Sequence, residues 1–221
     1  VKLARLRTVN LMPPLIGLAG MPLLARLFQP DVFGEYFIAF TVASVLAVAL
    51  SGMFYQAMFN MRESDQLEKH YRICLLFIGM AGLGVGAIYV PATLLAGFKF
   101  PVAEGLLVIL FGALLATSAT QSSYLVNSSQ LRMLERITVV RPCLVLSSQL
   151  LASHLTTELA GLLIPAIASE IVVCVAAHRL GKARPNGYDE RWSELVAHIG
   201  QHKKALTFLM PSQLTPLLAN L

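Results

Sequence analysis

Six apolar runs divide the chain, at about 9–28, 36–60, 73–97, 103–126, 137–155 and 159–178, and a seventh begins near 205 and reaches Leu221. A helix rises about 1.5 Å per residue, so about 20 apolar residues cross the roughly 30 Å hydrocarbon layer of a bilayer. Backbone groups in lipid must find their hydrogen-bond partners inside the segment, which leaves helices as the fitting secondary structure. The expected fold class is all-α: a polytopic membrane helix bundle of six spans plus the start of a seventh. Only 13% of residues are charged, against about 25% in soluble domains. The polar stripes that would mark each helix of a soluble bundle are missing.

The basic residues orient the spans. With the N-terminus on the cytoplasmic side, all of the 17 lysines and arginines except Arg26 and Lys99 fall on the inner side. The inner clusters are Lys2, Arg5 and Arg7; Arg62, Lys69 and Arg72; Arg132, Arg136 and Arg141; and Arg179 to Lys204. Such a bias is the positive-inside pattern. It accounts for the net charge of +5 without nucleic acid, for which no aromatic-basic motif is present. Lys2, Arg5 and Arg7 imitate the basic end of a signal peptide. The run behind them, broken by Pro13 and Pro14, lasts a full span and reads as a retained first helix. Opening on Val1, the chain reads as a fragment or as using an alternative start.

Three parts follow: a six-helix lobe over 1–178, a cytoplasmic loop over 179–204, and the incomplete span seven over 205–221. In the loop, Trp192, Leu195, Val196 and Ile199 follow a helical period and predict an amphipathic helix on the inner leaflet. His198 and His202 lack an acidic or cysteine partner at ligand spacing, so no metal site is expected. Cys74, Cys143 and Cys174 show neither CxxC spacing nor a disulfide pattern. No nucleophile elbow, phosphate loop or HExxH motif occurs, so no catalytic residue and no cofactor is assigned.

The stretch PLLARLFQPDVFGEYFIAF (22–40) joins an apolar run, a short Pro-acid turn and an aromatic Gly-x-Tyr restart. It resembles the first helical hairpin of Wzx-type polysaccharide-repeat flippases, which share a superfamily with the multidrug exporters (MATE) and the peptidoglycan-precursor flippases. YLVNSSQLRMLERITVVRP (124–142) is similar to their inner loop between spans four and five, and HKKALTFLMPSQLTPLLANL (202–221) to their approach to span seven. The resemblance implies the first lobe of a two-lobe transporter in the bacterial inner membrane. It implies translocation of a polyprenyl-pyrophosphate-linked oligosaccharide repeat unit for O-antigen, capsule or exopolysaccharide assembly. The implied partners are that lipid-linked oligosaccharide, membrane lipids, and polysaccharide polymerase and chain-length components. Two alternatives stand beside it: a MATE-like cation-coupled drug exporter, and a fragment of a membrane glycan polymerase.

An ionisable residue inside a span costs roughly 2.5–3.5 kcal/mol on insertion scales and needs a reason. Glu170 reads either as a cavity carboxylate coupled to a cation or proton, or as an interhelical partner for an arginine or hydroxyl. Arg141 reads either as the cation that meets the pyrophosphate or an acidic sugar, or as an anchor at the surface, with span five starting at Pro142. Arg26 carries the same two readings. Thr138, Arg141, Val145 and Ser148 share a helical face, as do Ser44, Ser51 and Tyr55. The polar inner half of span four, which includes Gln121, Tyr124 and Asn127, reads as the wall of a hydrated cavity. Pro13 and Pro14 are hinge candidates. Gly82 and Gly86 predict close helix packing.

Overall fold

The computed structural model describes residues 2–60, 64–96, 101–128 and 130–180. These form six α-helices: α1 (Lys2–Leu27), α2 (Pro30–Ser51), α3 (Ser64–Ala96), α4 (Val102–Asn127), α5 (Leu131–Ala152) and α6 (Leu159–Leu180), with a 3₁₀ helix at Phe54–Asn60 between α2 and α3. Among the described residues there is no strand. Four helices are long and apolar enough to cross a membrane: Pro30–Ser51, Asp65–Leu95, Val102–Asn127 and Leu159–Arg179. Large side chains such as Leu83, Ile88 and Leu95 stand exposed, as they do on a bundle whose solvent is lipid. The protein is a membrane-embedded helix bundle. The apolar part of α1, Pro13–Leu27, is shorter, and α5 carries Arg132, Glu135, Arg136 and Arg141, so neither joins the four. The interfacial helix expected around Trp192 and the span expected from 205 lie outside the described residues.

The helix ends differ from the expected spans for local reasons. Pro30 and Asp31 are not the turn between the first two helices. Gln29 is extended (φ −66°, ψ 148°), Pro30 takes the first helical position and Asp31 lies in the first turn of α2. Proline there loses no helical bond, and the carboxylate faces the positive end of the helix dipole. The chain reverses at Phe28 and Gln29, whose flanks are held by Phe28 N–H donating to Leu24 O and Phe33 N–H to Gln29 O.

The run expected at 36–60 is two elements. Gly52 (φ 52°) and Met53 (φ 56°) are both left-handed and end α2, with Gly52 N–H donating to Ala49 O. Glycine takes this conformation freely, and the Ser51 hydroxyl accepts from Met53 N–H to hold the less favourable residue. Tyr55 therefore leaves the α-helical face it was expected to share with Ser44 and Ser51. The buried His70 ring, hydrogen-bonded to Phe54 O at 2.8 Å, ties the 3₁₀ helix to α3.

α3 begins at Ser64 rather than 73, and α5 at Leu131 rather than 137. Both gain polar first turns that apolar windows cannot register. In α3, Arg72 donates to Glu68 one turn away at 2.6 Å. At about 50 Å, the helix outreaches the hydrocarbon layer.

α4 is the hub, packing on α2, α3 and α6, while α5 packs on α6 and α1. The core joins Ala39 and Ala43 of α2, Val108 and Phe111 of α4, and Leu163, Ala166 and Ile167 of α6. Small residues set the spacing. A Cβ at Gly112 would sit 2.9 Å from Ala43 O and 2.9 Å from Leu46 Cβ, so α2 and α4 approach through that glycine. Gly82 and Gly86 face α4 at Ala113 and Leu106.

Candidate functional site

α1 packs on α5 and α2 packs on α4, and a cavity of about 440 Å³ lies between these pairs. Gly17, Gly20 and Met21 of α1 form one wall and Phe33, Phe37 and Phe40 of α2 the facing one; α5 lines the back. These walls are apolar, yet the cavity holds a charged pair. Arg141 of α5 donates from Nε to Glu170 Oε1 and from Nη2 to Glu170 Oε2, both at 2.5 Å.

Helix direction explains the meeting. α5 and α6 are consecutive and tightly packed, and each residue lies roughly ten positions from either end of its helix. Arg141 is thus mid-helix and not at the start of one. Pro142 sits inside α5 instead of starting it, and its missing N–H leaves the Thr138 carbonyl without its helical donor. Glu170 is likewise about 15 Å from the end of α6, deeper than counting from His178 implies.

The pair is asymmetric: the Arg141 side chain is 30% exposed and that of Glu170 is 5% exposed. Both line the cavity, the carboxylate buried behind the more open guanidinium. A bidentate fork matches a carboxylate in geometry and charge, which lets two ions stand in an apolar bundle. Two further polar groups flank them. Gln149, one helical face along from Arg141, donates from Nε2 to Leu162 O at 2.9 Å, and its side chain also hydrogen-bonds the Tyr36 hydroxyl. α2, α5 and α6 are thereby cross-linked at the cavity.

Of the residues singled out in the sequence, Arg141, Glu170 and Pro13 meet at this cavity, with Thr138 and Val145 from the Arg141 face of α5. The others stand elsewhere. Ser148 turns towards α6, sharing a hydrogen bond with the Ser169 hydroxyl at 3.0 Å, and Gln149 takes the cavity position expected for it. Gln121 is buried between helices and donates to Cys174 O at 3.0 Å. Tyr124 stacks on Tyr71 with ring centroids 4.6 Å apart. Asn127 donates to Ser123 O in its own helix. Arg26 is exposed in the last turn of α1, and Pro14 is exposed beside Pro13.

The polar half of α4 is largely self-satisfied. Thr117, Thr120, Ser122 and Ser123 each donate to the carbonyl four residues back, which is how hydroxyls are accommodated in lipid-buried helices. Only Ser122 of that group lines the cavity. Tyr36 and Gln149 were missed. The signal for Gln149 was there: Arg141, Val145 and Gln149 recur every four residues, as close to one face as the three-and-four spacing that picked Ser148.

Among the described residues no group of three or more His, Cys, Asp and Glu side chains is placed to hold a metal ion. No family model, no curated protein and no solved structure matches the chain. Chemically, the cavity offers hydrocarbon-compatible walls, one cation with spare donors, and the carboxylate paired with it.

Proposed function

We propose that the chain is the N-terminal lobe of a Wzx-type flippase, carrying polyprenyl-pyrophosphate-linked oligosaccharide repeat units across the bacterial inner membrane. The observation that carries this reading is the cavity itself: apolar walls from α1 and α2 with the Arg141 guanidinium at the back. An amphipath fits that combination. Its phosphate meets a fork-shaped cation, and its chain stays against aromatic and aliphatic side chains. The sequence likeness of 22–40 and 124–142 to the first hairpin and inner loop of such flippases supports the same assignment.

In this reading all six helices span, with the N-terminus cytoplasmic, and the positive-inside distribution of lysine and arginine supports that orientation. α1 and α5 cross as partners of the four more apolar helices, Arg141 being neutralised by Glu170. Pro13 and Pro22 within α1 and Pro142 within α5 weaken the backbone bonding of the two helices beside the opening, which suits them to bending between inward- and outward-open forms. The role is transport and not catalysis.

Deletion of the complete parent gene tests the proposal, with surface polysaccharide and lipid-linked repeat units both quantified. Loss of surface glycan with trapped intermediates, restored by the gene, is the expected result. Unchanged glycan with new drug sensitivity would replace the flippase by a drug exporter of the same superfamily.

A further inference from the structure

The charges around the cavity impose a condition on any anion that enters it. Among the described residues Arg141 is the one Lys, Arg or His side chain lining the cavity. Its single positive charge is already matched by Glu170. A guanidinium has five N–H donors, and Glu170 takes two, so three remain for a ligand. Donors are therefore available but charge is not. One guanidinium cannot neutralise both a phosphate and a buried carboxylate, and an uncompensated charge at 5% exposure is strongly disfavoured. Among the described residues, the other groups facing Glu170 cannot supply the difference. They are Tyr36 from α2 and Cys174 from α6 itself; α4 presents Ser122, and α1 presents Pro13 and Gly17.

We propose that the Arg141–Glu170 site takes a phosphate-type anion together with one proton, which comes from water and lands on the Glu170 carboxylate. Arg141 keeps its charge and passes from the carboxylate to the phosphate. Glu170 becomes a neutral acid that donates a hydrogen bond. For a phosphate group that brings one negative charge, as the phosphodiester probe below does, the site is neutral before and after. Substrate and proton bind cooperatively, so they travel in the same direction through this lobe. This rests on the anion-site reading of the preceding section.

The test uses the full chain in nanodiscs of neutral phosphatidylcholine, with farnesyl methyl phosphate as probe, a phosphodiester that does not titrate near neutral pH. Over the pH range in which one proton is taken up with the ligand, wild-type affinity weakens about tenfold for each unit of rising pH. Titrations in buffers of different ionisation enthalpy give an uptake of about one proton per probe. Glu170→Gln binds the probe with little pH dependence. Tight wild-type binding that is flat with pH and takes up no proton overturns the co-binding and leaves the anion site standing. No wild-type binding at any pH overturns both. Phosphatidylglycerol added to the nanodiscs separates the sources of the phosphate: if it competes with the probe, a membrane headgroup is the ligand, and if it does not, a lipid-linked phosphate is. Proton uptake supports the proposal in either case.

Discussion

Replacing Arg141 by methionine removes the guanidinium and leaves Glu170, only 5% exposed, with no counter-ion. Breaking a buried pair from one side costs about 3–5 kcal/mol. The low end applies here, because the carboxylate can escape by taking up a proton, so we expect about 3 kcal/mol. Glu170→Leu is milder. The orphaned guanidinium is 30% exposed to the cavity and can draw in water, which puts its cost at about 1–2 kcal/mol. The double replacement leaves no charge behind and fills both positions with apolar side chains of similar length, so it falls within about 1 kcal/mol of wild type. The single costs sum to about 4–5 kcal/mol and the double lies within about 1 kcal/mol of wild type, so the two sites are coupled by about 3–6 kcal/mol, far above the few tenths expected of independent positions. Equilibrium unfolding of all four proteins in one detergent or bicelle system measures it. Additive single-variant costs would refute the pairing. A milder Arg141→Met than Glu170→Leu would refute the argument from exposure.

Three other outcomes follow from the packing and the charge distribution. Gly112→Ala forces a Cβ against Ala43 O and Leu46 and costs about 1–3 kcal/mol by thermal melting in detergent, whereas Gly17→Ala, with nothing within 4 Å, is neutral or slightly stabilising. Gln149→Leu removes the tie to Leu162 O and to Tyr36 and costs about 1 kcal/mol in the same assay, a typical value for an interhelical hydrogen bond in a membrane. Cysteine scanning checks the proposed orientation: Glu158→Cys reacts with an impermeant maleimide on whole cells, and Arg132→Cys reacts only after permeabilisation. The reverse pattern would invert the bundle.

Long apolar runs made the helical class and the rough position of every described helix legible, because lipid tolerates little else. The ends were not. Pro30 reads equally as a turn former and as a first helical residue, and only the extended Gln29 before it decides. The first turns of α3 and α5 are polar, and an apolar window carries no information there. The site was half legible. Arg141 and Glu170 each stand out as charges in apolar surroundings, but their partnership depends on how two helices face each other. The polar content of α4 does not by itself mark a cavity wall, for a related reason: a hydroxyl bonded to its own helix looks, in sequence, like one awaiting a ligand.

The arrangement of charges also bears on how the chain is made. α4 carries its hydroxyls already bonded to its own carbonyls, so it can leave the translocon for lipid unaided. α5 cannot: a lone arginine near its middle resists insertion by roughly 2.5–3.5 kcal/mol, and its counter-ion is synthesised later, on α6. On the six-span reading, α5 waits beside the ribosomal exit path until α6 arrives, and the two enter the bilayer as one hairpin. A variant without Glu170 would then insert this hairpin less efficiently and reach the membrane in lower amount.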